Sequence, residues 1–166
     1  IENLSFPEAV EFLAKRAGMA IPEQAADKDA KKRSRLLNAN RDAARFFHEQ
    51  LGTEAGKAAV EYMQRRRISP KIARNFGLGY APPKGDGLVA FLARHGVAPE
   101  EGVRAGVLAE RQGRFVDRLR HRITFPIKDA FGRVVAFTGR ALGEDGPKYL
   151  NTPETPLFRK QEVLFA

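Results

Sequence analysis

The stretch DRLRHRITFPIKDAFGRVVAFTGR, residues 117–140, decides the fold, because here the spacing of apolar residues changes from helical to alternating. Arg118, Arg120 and Arg122 are interleaved with Leu119, His121 and Ile123. Side chains of a β-strand alternate between its faces, so such a spacing predicts three guanidiniums on one face, in steps of about 6.6 Å. Like charges that close repel one another and gain from a counter-ion of similar pitch, such as an extended nucleic-acid backbone. A solvated sheet face explains the same spacing, and this segment alone leaves both readings open.

Working outward, DAFG at 129–132 makes a tight turn between predicted strands Arg120–Lys128 and Arg133–Arg140. Alternation also predicts strands over Val107–Glu110 and Phe115–Asp117, giving an antiparallel meander. Upstream the pattern is helical. Leu36, Asn40, Ala43, Phe47 and Leu51, widened by Leu37 and Ala44, predict a helix from Ser34 to Leu51 that Gly52 breaks. Thr53 starts another through Arg66, and Ser69 followed by Pro70 starts a third, after which Gly77 and Gly79 lead into an extended piece. GLVAFLARHG reads as a helix and PEEGVRAGVL as a helical turn running into a strand. The expected class is α+β, with amino-terminal helices packed against an antiparallel β meander.

Toward the amino terminus, Ser5 and Glu8 have capping-box spacing and Phe6, Val10, Leu13 and Ala14 form a stripe that Gly18 ends. Residues 21–35 are polar, without a large apolar residue after Ile21, and read as a flexible linker. The expected organisation is therefore a helix within 1–20, a linker at 21–35 and one folded unit at 36–166. The chain begins at Ile1 and stops in the apolar run EVLFA, which reads as a piece of a longer protein.

A hydrophobic fraction of 43% fits a folded protein, and the sequence has no apolar run of membrane-spanning length and no secretory leader pattern. A cytoplasmic location is the expectation. Without cysteine there are neither disulfides nor thiolate zinc sites, while a net charge of +9 points to a polyanionic partner. That charge is uneven. Arg104, Arg111, Arg114, Arg118, Arg120, Arg122, Lys128, Arg133 and Arg140 face only Glu110, Asp117 and Asp129 within 103–140. Arginine favours phosphate recognition because its planar fork bonds two oxygens at once. Arg65, Arg66 and Arg67 end a helix, where cations are expected from the dipole alone.

Signatures of chemistry are scarce. There is no GxxxxGK[ST], HExxH or GxGxxG, and His48, His95 and His121 stand apart from one another and from clustered carboxylates. The chain reads as one that binds charge without carrying out a reaction. In GEDGPKYLNTPETPLF, residues 143–158, three prolines hold Lys148, Tyr149, Asn151 and Thr152 in a stiff loop fit to meet a phosphate, a base face and a sugar edge. An ordinary loop in which Tyr149 and Leu150 plug the core is the alternative.

DRLRHRITFPIKDAFGRVVAFTGRALGEDGPKYLNTPETPLFRK closely resembles the bacterial DnaG-type replicative primases, whose pattern runs DRFRxRIxFPIxDxxGRVIGFGGRxL and then PKYLNSPET. VEYMQRRRISPKIARNFGLGYAP resembles the family's YLxxRGLSxExIxxFxxGYAP, and SFPEAVEFLAKRAGM its segment joining zinc ribbon to polymerase domain. The resemblance implies the amino-terminal subdomain of an RNA polymerase core that synthesises primers, with a zinc ribbon before it and a Mg²⁺-binding TOPRIM domain after it, both absent here. Mg²⁺ and Zn²⁺ are thus implied only for the intact enzyme, with no catalytic residue in this piece, which alone is expected to be inactive.

By position, the resemblance assigns single-stranded template DNA to Arg118, Arg120, Arg122, Lys128 and Lys160. It assigns nucleoside triphosphates, and by extension guanosine alarmones, to Arg66, Arg140, Lys148, Tyr149 and Asn151. The implied partners also include a replicative helicase, through an absent carboxy-terminal domain; a monomer without membrane attachment is expected. Two departures stand out: Arg67 replaces the glycine of RG, and Thr138 replaces the first glycine of GGR. A non-catalytic single-stranded nucleic-acid-binding module of a phage or accessory replication protein is the other reading.

Overall fold

The computed structural model describes residues 23–144 and 146–159. The predicted helix at Ser5–Gly18 and the candidate Lys160 lie outside the described residues. The chain divides into two units, residues 1–35 and 36–166. Of the first, residues 23–35 are helical, as the start of α1 (Glu23–Gln50). This corrects the expected linker: the helix begins at Glu23, not Ser34. EQAADKDAKKRSR is polar, but its Ala, Lys, Gln, Glu and Arg are strong helix formers, and polarity alone does not oppose a helix.

In the second unit, α1 is followed by a 3₁₀ turn (Glu54–Gly56), α2 (Lys57–Arg65), α3 (Pro70–Phe76), β1 (Gly79–Ala81), α4 (Gly87–Arg94) and α5 (Pro99–Arg104). Strands β2 (Leu108–Arg111), β3 (Arg114–Asp117), β4 (Arg122–Lys128), β5 (Val134–Ala141) and β6 (Tyr149–Asn151) come after them. Several local signals act as the sequence predicts. Ser69 Oγ accepts from Ile72 N at 3.1 Å with Pro70 at the first helical position, and Gly77 closes α3 with φ 68°. The missing glycine after α2 is replaced without loss of the cap. Arg67 itself takes φ 59°, Ile68 N donates to Met63 O at 2.8 Å, and Arg67 N donates to Gln64 O at 3.0 Å.

The strands differ from a single meander. β1, β4, β5 and β6 form one antiparallel sheet in the order β1-β4-β5-β6, while β2 and β3 make a separate two-stranded ribbon. β4 begins at Arg122, not Arg120, because His121 adopts φ 53°, a left-handed conformation that cannot continue a strand. β6 lies where a loop was expected: Tyr149–Asn151 pairs with Thr138–Arg140, and Thr152 N donates to Phe137 O at 2.8 Å.

Opposed residues of an antiparallel pair share a face, so the register sorts the sheet into two. One face carries Ala81, Arg122, Thr124, Phe137, Gly139 and Leu150. Leu36, Ala43 and Phe47 of α1 and Leu88, Phe91 and Leu92 of α4 share its core. Phe47 meets Phe137 edge-on at 5.2 Å, and a Cβ on Gly79 would fall 2.6 Å from Phe47, so only glycine lets α1 approach this closely. The other face carries Tyr80, Ile123, Phe125, Thr138, Arg140, Tyr149 and Asn151. Over β1 and β4 it is covered by Ala59 and Met63 of α2 and Ala73 of α3.

Candidate nucleic-acid and nucleotide interface

The second face holds the first cluster. Tyr80, Ile123, Arg140 and Tyr149 stand opposite one another across all four strands. Tyr80 and Ile123 are buried beneath α2, whereas Tyr149, on the edge strand, keeps 58% of its surface exposed. The Arg140 guanidinium carbon lies 5.4 Å from the Tyr149 ring centre and 5.6 Å from that of Tyr62, on α2. One helical turn after Tyr62, Arg66 places its guanidinium 5.2 Å from the same ring. The result is a row in which cations and rings alternate: Arg66, Tyr62, Arg140, Tyr149.

Arg140 is held further by its Nη1, which donates to Ala141 O at 2.8 Å, while its Nε is buried without a partner among the described residues. Asn151 joins the same face, where Thr138 Oγ1 donates to its Oδ1. The unusual threonine therefore orients the amide. Lys148 stands beside the row and not in it: its carbonyl accepts from Ala141 N at 2.9 Å, in the alternation of Leu150 and not of Tyr149.

The second cluster is the arginine segment, and here one sequence expectation fails. Residues 118–121 belong to no strand and His121 is left-handed, so the alternation that would set Arg118, Arg120 and Arg122 on one face does not exist. Arg122 is only 5% exposed and points into the core face of the sheet, where its Nη1 donates to Gly139 O at 3.1 Å. Its Cδ would sit 2.9 Å from a Cβ on Gly139, so the second glycine of the family's GGR makes room for the Arg122 stem. Burial lowers the Arg122 pKa. Its place is within the sheet.

Arg120 is exposed, and its stem packs against Gly85, which has φ 84°. Its charge faces Asp117, a buried carboxylate that accepts from Leu88 N at 2.9 Å and Val89 N at 3.0 Å at the start of α4. Burial dominates there and raises the Asp117 pKa against those two N–H groups. Arg118 is half-buried, its Nε has no partner among the described residues, and both burial and the charge of Arg111 lower its pKa. An anion beside Arg118 would offset both the burial and the neighbouring charge that disfavour its protonated form. His121 accepts or donates at Nδ1, 2.7 Å from the Tyr80 hydroxyl, and so ties this segment to the sheet. Lys128 is exposed at the far end of β4, about 20 Å from Arg122 by strand rise.

The structure thus brings Arg66, Arg140, Tyr149 and Asn151 together, sets Arg118 and Arg120 on the turn before β4, and leaves Arg122 and Lys128 apart from both. Sequence reasoning missed two residues. Tyr62 carried a usable signal, its spacing of four from Arg66; Arg111 was visible only as one basic residue among many. Among the described residues no three His, Asp or Glu side chains cluster as metal ligands, and no helix is long and apolar enough to cross a membrane.

The fold is an α+β unit in which a helix and a sheet face bring two guanidiniums and two tyrosine rings together. The chain belongs to the family described as DNA primase catalytic core, N-terminal domain, whose pattern matches residues 46–166. It is 44% identical to the DNA primase of Pseudomonas putida over 174 aligned residues, which cover 99% of this chain and 26% of that protein. The RNA polymerase domain of Mycobacterium tuberculosis primase DnaG, solved with a double-stranded DNA oligomer bearing a 6-nucleotide overhang, superposes with a TM-score of 0.73 at 38% identity. That match covers 76% of this chain and 40% of that one. A DnaG primase catalytic domain bound to single-stranded DNA gives a TM-score of 0.71 at 38% identity, covering 79% and 41%. The chain spans about a quarter of the length of the curated relatives it matches.

Proposed function

We propose that this chain is the template- and nucleotide-binding part of a bacterial primase, a DNA-dependent RNA polymerase that makes short RNA primers for replication. The observation that carries the reading is the row of Arg66, Tyr62, Arg140 and Tyr149, in which α2 and one sheet face together offer two guanidiniums and an exposed ring. A nucleoside triphosphate combines the matching groups, a chain of phosphates and a base with a π-face. Arg118, Arg120 and Arg111 provide several positive charges on one short segment and the neighbouring ribbon, which suits the phosphates of a single-stranded template of any sequence. The DNA-bound primase structures similar to this fold support DNA as the partner.

In this reading primer growth is attack of a 3′-hydroxyl on the α-phosphorus of the incoming nucleotide, with pyrophosphate leaving. Arg140, assisted by Arg66 and by Lys148 beside the row, neutralises phosphate charge; that is electrostatic stabilisation, and no residue here transfers a proton. The described residues do not fit the Mg²⁺ and Zn²⁺ that the resemblance implies. The sequence has no cysteine, and no carboxylate cluster is present among the described residues. We assign both ions to other segments of the intact protein, and derive no step through them. Alarmone binding at the same row, helicase contact through another domain, a monomeric state and a cytoplasmic location belong to the same proposal.

Fluorescence anisotropy of a short single-stranded oligonucleotide against the 166-residue chain tests the template half. Arg118→Ala with Arg120→Ala is expected to weaken binding about tenfold and to flatten the slope of log K against log salt by about 0.7 per removed contact. Unchanged affinity and slope in the double variant would place the template elsewhere.

A further inference from the structure

The row places two like charges against one ring, and the ring belongs to a residue with no assigned part in binding. We propose that Tyr62 is a positioning residue: its ring holds Arg66 and Arg140 so that both guanidiniums address one polyphosphate chain. The proposal rests on the nucleotide reading above and adds how the site is assembled. The two guanidiniums reach the row from different elements, Arg66 from the end of α2 and Arg140 from the middle of the sheet. Left to themselves they would repel and separate. Each lies instead within cation–π distance of Tyr62, at 5.2 and 5.6 Å, so the two charged centres are at most the sum of those distances apart.

The geometry around Arg140 argues for positioning rather than mere packing. The guanidinium is close to two rings, Tyr62 and Tyr149, and its Nη1 is committed to Ala141 O. Its Nε is buried and unpartnered among the described residues, an expensive arrangement for a charged group. Arg140 as a whole is half-buried, so a small turn of the guanidinium would open this edge to a phosphate oxygen. The Tyr62 hydroxyl makes no hydrogen bond among the described residues, so the ring face, not the phenol oxygen, is the working part. Tyr62 is half-buried and packs beside Ala59, Met63, Tyr80 and Ile123, which fixes the ring plane before any ligand arrives.

Rings and charges also set the class of ligand. A single phosphate can accept from both guanidiniums only if they converge on it; linked phosphates, as in a triphosphate, a pyrophosphate-bearing nucleotide or inorganic tripolyphosphate, can reach each of them where Tyr62 holds it. The expected order of affinity is therefore triphosphate well above monophosphate, with the margin depending on Tyr62.

The test is titration calorimetry of the chain with GTP, GMP and inorganic tripolyphosphate, using Tyr62→Phe and Tyr62→Leu. The phenylalanine variant, which keeps the ring, should bind as the unaltered chain does. The leucine variant should lose about tenfold for GTP and tripolyphosphate and little for GMP. Oligonucleotide affinity and thermal midpoint serve as controls for the fold and should stay close to the unaltered values in both. A leucine variant that binds GTP and tripolyphosphate normally overturns the proposal, as does a phenylalanine variant as weak as the leucine one. An unaltered chain that binds neither polyphosphate removes the nucleotide reading itself, and the proposal with it. In parallel, the Arg140 Nε–H proton should show an upfield ring-current shift by NMR that survives in Tyr62→Phe and diminishes in Tyr62→Leu.

Discussion

The arginine segment and the ring-and-guanidinium row are built in opposite ways. Arg118, Arg120 and Arg122 are neighbours in sequence, yet a strandless link ending in the left-handed His121 sends them to different surroundings. The Tyr62–Arg66 pair and the Arg140–Tyr149 pair are far from one another in sequence and come together through strand register and one helix packed on the sheet. Regular spacing fixes side-chain direction only while the backbone stays regular. Register, in contrast, delivers side chains to a common place whatever the intervening chain does.

The largest effect expected from this contrast is on stability, and it separates two residues that the sequence presents as equivalent. Arg122→Ala should destabilise the chain by about 2–3 kcal/mol, since it removes a buried stem, leaves a cavity and takes away one donor to the Gly139 carbonyl. Arg120→Ala, at an exposed position, should stay within about 0.5 kcal/mol. Urea denaturation of both variants measures this directly. Equal losses would mean that Arg122 does not act from within the sheet and that the contrast drawn here is wrong.

Tyr149 sharpens the other half. Its ring is 58% exposed, so truncation should scarcely alter folding, but it should cost about 1–2 kcal/mol in triphosphate affinity by removing both the stacking surface and one wall of Arg140. Tyr149→Ala compared with Tyr149→Phe by calorimetry is the measurement. Full affinity in the alanine variant would leave the edge strand without a role in binding.

How far the sequence carried these conclusions can be judged residue by residue. The stripe of Leu36, Ala43 and Phe47, the Ser69–Pro70 start and the Gly77 stop were legible because each rests on local physics: periodicity, capping and conformational freedom. The helical start of α1 was misread because a polar composition suits an exposed helix as well as a linker. His121 gave no warning, since a left-handed histidine has no sequence mark comparable to glycine. β6 was hidden by the surrounding prolines, which bound the strand without entering it. The resemblance pointed to Arg66, Arg140, Tyr149 and Asn151 together, but not to the ring that joins two of them. Contacts made through register between distant segments leave no local trace.

The smallest effect concerns an arginine that belongs to neither cluster. Arg133 lies in the same one-signed stretch, at the tip of the β4–β5 hairpin, yet its charge is answered within the chain. Its Nε donates to Asp129 Oδ2 at 2.8 Å, and its guanidinium carbon lies 5.1 Å from the Phe131 ring centre. Asp129 Oδ1 also accepts from Phe131 N at 2.9 Å and Arg133 N at 3.0 Å. Burial opposes the Asp129 charge, but these donors prevail and its pKa is lowered. A carboxylate with a depressed folded pKa contributes stability that is present above its unfolded value of about 3.9 and is lost as pH falls through the folded one. Asp129→Asn should therefore cost about 0.5–1 kcal/mol at neutral pH, a modest figure because the pair is partly solvated, and should flatten the acid limb of the stability profile below about pH 4. Urea midpoints recorded from neutral to acid pH test this. An unflattened acid limb in the variant would show that Asp129 does not answer Arg133, and would return that arginine to the pool of charges available to a polyanion.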